Sequence, residues 1–181
     1  MKINIGSGYT KFDGYINIDN DPNSQPDHLV DLEKDRLPFE DSTVERVIAH
    51  HILEHLGDGY FHLLRELYRV CKDKAIIDIV VPYHHHEVFY NDPTHKRPIT
   101  VDGLRMFSKQ YNLENIKMGV ATSNLAIMHN VDFNILNYSF KIDPFYDDIL
   151  SQNTEEQNHR LMREALNTAI EMNATLSVNK E

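Results

Sequence analysis

The sequence predicts an α/β fold: a doubly wound, mostly parallel sheet with one antiparallel edge strand and a C-terminal helix. Three observations carry the prediction. Short apolar runs alternate with helical patterns over residues 2–82. The central runs are apolar throughout, as strands covered on both faces require. Glycine, aspartate or histidine stands where each run ends, which is where such sheets bind ligands.

KINI, residues 2–5, is a short buried strand running into the tight turn Gly6-Ser7-Gly8. YINID ends a second strand on Asp19, and DHLVDL ends a third on Asp31-Leu32. After the polar loop LPFEDST, VERVIAH reads as a fourth strand through Val44, Val47 and Ile48. Ile52, Leu53, Leu56, Leu63, Leu64, Leu67 and Val70 then recur at helical spacing, and Gly57 and Gly59 divide them into a short turn and a longer helix. AIIDIVVP is the fifth strand, closed by Pro82.

Residues 83–100 form a long polar loop with two prolines and many ligand-type side chains, and loops of that length are commonly functional. A short helix over 101–107 opens at Thr100 or Asp102, and NLENIKMGVATS and VDFNILNYSFKI read as two final strands, the second at an antiparallel edge. Thr154 and Gln157 form a capping box for a helix with the stripe Leu161, Met162, Ala165, Leu166, Ala169 and Ile170, which covers its own sheet or a partner subunit. Residues 177–181 read as a tail. The expected organisation is a domain over 1–150 followed by a C-terminal helix and tail over 151–181, with a homo-oligomer open.

A chain of 181 residues is long enough to bury a core without disulfide or metal. Its single cysteine, Cys71, excludes a disulfide framework and a cysteine zinc ribbon, and suits a reducing compartment. The formal charge of −10 disfavours nucleic acid, and His95-Lys96-Arg97 is too small a basic cluster to reverse that. With no leader pattern at its start and no membrane-length apolar run, a cytoplasmic protein is expected.

A GxG turn lets a ligand approach the backbone, and an acid ending the next strand can hold both hydroxyls of a ribose, so Gly6, Ser7, Gly8 and Asp19 point to a nucleoside-type cofactor. A dinucleotide is disfavoured. Asp19 stands eleven residues after Gly8 instead of a full helix away, and the third glycine is missing.

NIGSG, GYINID, DLEKDRLPFEDSTVERV, AHHILEHL, RELYRVCKD and IVVP, in that order, resemble the motifs of small class I S-adenosylmethionine-dependent methyltransferases of the type 11 kind, over roughly residues 1–82. The resemblance implies a Rossmann-like sheet and S-adenosylmethionine as cofactor. Gly6-Ser7-Gly8 would meet its methionine part, Asp19 the ribose, and Asp31 with the backbone of Leu32 the adenine edge. Residues 51–55, HILEH, match the segment that follows the fourth strand in this family, with His50 at the pocket edge. Two departures stand out. Residues 9–14 are too few for the first crossover helix, and no helix precedes the first strand to cover the cofactor.

Methyl transfer to oxygen or nitrogen of a polar small molecule or glycan usually requires a base, and imidazole suits that work. The candidates are His50, His51, His84, His86 and His95, with the loop histidines favoured, while Asp92, His95, Lys96 and Arg97 are candidate substrate contacts. The segment 51–55 also spells HxxEH, a zinc-peptidase pattern. His55 is expected to pack toward the core, and metal chemistry is better sought at His84-His85-His86-Glu87, where His84 and His86 share a side of an extended chain. No metal ligand is assigned. A metal-dependent hydrolase and a non-catalytic S-adenosylmethionine-binding module are the alternative readings.

Overall fold

The computed structural model describes residues 1–180. Seven strands form one sheet in the order β3-β2-β1-β4-β5-β7-β6. Five of them, β1 (Lys2–Ile5), β2 (Ile16–Asp19), β3 (His28–Leu29), β4 (Val44–His50) and β5 (Cys71–Pro82), are parallel. The third is shorter than DHLVDL suggested, because pairing with β2 stops at Leu29 and Val30 to Leu32 bend into the loop that crosses back to β4.

Helix α1 (Tyr60–Val70) links β4 to β5 and buries Leu63, Leu64, Leu67 and Val70. The second half adds the short helices α2 (Glu87–Asn91) and α3 (Val101–Arg105), the latter capped by Thr100. Next, α4 (Lys109–Met118) stands where NLENIKMGVATS reads as a strand, and α5 (Leu125–His129) follows that segment. That strand does not form. Ser108 caps α4, Gly119 closes it in the left-handed region, and its buried side chains are Asn112 and Asn115, while Leu113, Ile116 and Met118 are exposed. An inverted pattern of this kind hides a helix from any reading of hydrophobic period. Asn112 is nonetheless satisfied: its Nδ2 donates to the Met106 carbonyl and its Oδ1 accepts from Ala126 N.

Strand β6 (Phe133–Ile142) lies at the expected antiparallel edge, followed by α6 (Asp147–Gln152) and α7 (Glu155–Glu164). Helix α7 opens on the full Thr154–Gln157 capping box. The helix stripe traced to Ile170 stops short. After Ala165 the chain turns extended, and β7 (Ala169–Val178) inserts antiparallel between β5 and β6. Residues 177–178, read as the start of a tail, are buried strand.

Apolar residues of α1 and α3 join Ile3, Ile5, Val47, Ala49, Ile77, Ile79, Met172, Ala174 and Leu176 in one core cluster. These strand positions share one face of the sheet. The other face is not covered as a doubly wound sheet would be. Residues 6–15 between β1 and β2 contain no helix, and the β2–β3 connection holds one 3₁₀ turn, Pro22–Ser24. Arg46, His50, Asp78, Asn173 and Thr175 line an open polar groove of about 390 Å³ there, bordered by Tyr15.

Candidate functional site

A pocket of about 500 Å³ opens at the carboxyl ends of the parallel strands, a size typical of small-molecule sites. Gly6 ends β1 with φ of 59°, and a Cβ there would lie 2.5 Å from Ile52 Cγ1, so this turn passes against Ile52 only as glycine. Asp19 closes the same turn. Its Oδ2 accepts from Gly8 N at 2.7 Å and its Oδ1 from Asp21 N at 2.9 Å. Asp31 stands across the opening, its Oδ1 accepting from Glu33 N at 3.0 Å and its Oδ2 from Lys34 Nζ at 2.8 Å. Those bonds hold its carboxyl below the usual range. Between the two acids Val30, Leu32, Ile52 and Leu56 form apolar walls.

Residues 16–79 match the type 11 family described as "Methyltransferase domain". Over that stretch the chain is similar to methyltransferases of this kind. Solved structures agree with the fold. A SAM-dependent methyltransferase from Archaeoglobus fulgidus aligns with a TM-score of 0.61 at 19% identity, covering 97% of this chain and 85% of its own. One from Methanosarcina mazei aligns with 0.56 at 14%, covering 99% and 92%. The [4+2]-cyclase SpnF aligns with 0.56 at 13%, covering 99% and 75%. No curated protein matches the chain.

The family similarity implies S-adenosylmethionine as cofactor, and the pocket residues fit such a group. An apolar slot suits a purine, and each acid keeps lone pairs free for hydroxyl or amine donors. Gly6, Asp19, Asp31 and Leu32 line the pocket. Ser7 is buried under the turn, where its Oγ accepts from Lys11 Nζ, and Gly8 N is occupied by Asp19. His50 is displaced from the expected cofactor edge. As the last residue of β4 it points to the polar groove on the other face, against Phe12.

The remaining histidines separate clearly. His51 follows β4 in the left-handed region with φ of 53°, its N–H bonded to Val80 O. Its ring is half exposed between Glu54 Oε1 and Glu171 Oε1, each at 3.5 Å, and the Glu54 carboxylate raises its pKa. His84 lies beside Tyr83 and His85, with burial lowering its pKa. His86 is buried and committed: Nδ1 accepts from Val88 N as the cap of α2, so Nε2 carries the proton shared with Asp143 Oδ2 at 3.2 Å. It has no nitrogen left to act as a base. The tract is a turn, closed by His86 N to Tyr83 O, so His84 and His86 do not share a side as an extended chain would place them.

Of the four candidate substrate contacts, Lys96 reaches the pocket, with Nζ 3.2 Å from Glu33 Oε2. Arg97 turns away to stack on Tyr60 and Phe61. Asp92 and His95 stand behind Thr94, which does line the pocket. Sequence reasoning passed over Ile52, His55, Leu56 and Thr94 as pocket residues. The signal was present for the first three, because they lie inside the AHHILEHL segment, whereas Thr94 arrives by the loop's tertiary path.

Proposed function

We propose that this protein is an S-adenosylmethionine-dependent methyltransferase that transfers the methyl group to an oxygen or nitrogen of a polar small molecule or glycan, with His51 as the base. The observation that carries the reading is the backbone of His51. A non-glycine residue held at positive φ at the end of a central strand stores strain, and such strain clusters at functional sites. The conformation presents the imidazole at the strand edge that also carries Gly6 and Asp19, flanked by Glu54 and Glu171, which orient it. The bound cofactor supplies an activated methyl on sulfonium. The chain's own work is to seat the nucleoside between Asp19 and Asp31, to exclude water with Ile52 and Leu56, and to remove the acceptor's proton.

Calorimetry with S-adenosylhomocysteine tests the pocket. Unmodified protein binds it, Asp19→Ala weakens binding at least tenfold, and no binding by the unmodified protein refutes the reading. His51→Gln tests the base by formation of S-adenosylhomocysteine during turnover. It is expected to lower kcat by about 10²–10⁴ with cofactor affinity retained, and an unchanged kcat removes His51 from the role.

A further inference from the structure

Glu54 lies in a 3₁₀ turn, Leu53–His55, and is 1% exposed. Neither carboxylate oxygen makes a hydrogen bond, although the His51 ring stands at 3.5 Å. A buried carboxylate without donors is costly, and a cation relieves that cost. Two imidazoles face it. One ligand atom from each of Glu54, His55 and His95 lies within 4.8 Å of the others.

Hydrogen bonding determines which nitrogens the rings offer. His95 Nδ1 is 2.7 Å from Phe89 O, a carbonyl that can only accept, so Nδ1 carries the proton and Nε2 the lone pair. His55 Nδ1 is 2.9 Å from Thr94 Oγ1, whose own proton goes to Asp92 Oδ1 at 2.6 Å. His55 therefore donates from Nδ1 and keeps its Nε2 lone pair. Asp92 Oδ2, at 3.8 Å, is beyond hydrogen-bonding distance of His95 Nε2. Orientation of a ring through its far N–H is how proteins hold metal-ligating histidines.

We propose that Glu54, His55 and His95 bind a divalent first-row transition ion, with zinc as the probe. Two imidazoles and one carboxylate suit such an ion, and three protein ligands leave a position for water or a pocket ligand. The site would fasten the loop carrying His95 to the turn after β4, along the backbone bonds from Lys96 N and Arg97 N to Glu54 O. His55 also lines the cofactor pocket. The inference does not rest on the methyl-transfer reading, because metal binding is measured with no cofactor present.

The test is zinc titration of the chelator-stripped full chain against a chromophoric competitor, with Co²⁺ as spectroscopic probe. One equivalent is expected, with visible absorption of a four-coordinate cobalt site. His95→Ala should lose affinity beyond the roughly 100-fold typical of an outer hydrogen-bond partner, and Thr94→Val about 10–100-fold. The double variant His84→Ala/His85→Ala should bind as the unmodified protein does. Zinc held no more tightly by the unmodified protein than by folded His95→Ala overturns the proposal, as does loss of binding in the His84/His85 variant. Should His95→Ala fail to fold, proton spectra of the cobalt protein decide. Two shifted exchangeable Nδ1–H signals support the site, and fewer overturn it.

Discussion

Residues 50–55 and 84–86 each carry three histidines, and the fold uses the two segments in opposite ways. In the first, His55 turns with Glu54 toward a third ligand-type residue, His95, that arrives from another element. In the second, the denser tract is spent on a β-turn, a helix cap and ring packing: His86 has both nitrogens engaged, and His84 stacks on Tyr83 and His85. Density of ligand-type residues along the chain is therefore a poor guide to a site. Lone pairs must converge, and local hydrogen bonds decide whether they are free to do so.

Four measurements break or sharpen this contrast. The largest effect expected is from zinc itself: at a thousandfold excess over Kd it should stabilise the unmodified protein by about 4 kcal/mol, or roughly 10 °C in Tm, and stabilise His95→Ala by less than about 1.4 kcal/mol. Scanning calorimetry reads it directly. Without metal, Glu54→Leu removes a buried carboxylate whose polar neighbour is the His51 ring at 3.5 Å and should raise stability by about 1–3 kcal/mol, a gain that zinc does not extend. A loss in metal-free denaturant titration would show that Glu54 has a partner in solution. His86→Ala should cost about 1–2 kcal/mol through its cap and its bond to Asp143, with zinc affinity unchanged. The smallest effect falls on His84→Ala, within about 0.5 kcal/mol and silent toward zinc.

The two sheet faces carry a related lesson. The shortened β1–β2 connection was visible as residues 9–14, too few for a crossover helix, and the structure has none there. Its consequence was not visible: alternation along β4, β5 and β7 places Arg46, Asp78 and Thr175 together on a face without helices, where Arg46 Nε and Nη2 both reach Asp78 Oδ2 at 2.8 Å. The same alternation turns His50 away from the pocket lined by Gly6, Asp19 and Asp31. No helix is long and apolar enough to cross a membrane among the described residues.

Much of the first half was legible because its information is local. Period and strand-end residues located β1, β2, β4, α1 and β5, and Gly6, Asp19, Asp31 and Leu32 do meet in one pocket. The later elements were less so. Helix α4 buries asparagines, which no hydrophobic period reports, and Ala169–Val178 begins with good helix formers yet becomes a strand because β5 and β6 offer their edges to it. The histidine sites belong wholly to tertiary structure. A side chain's tautomer and free lone pair depend on partners such as Phe89 O and Thr94 Oγ1, which lie 6 and 39 residues from the rings they orient.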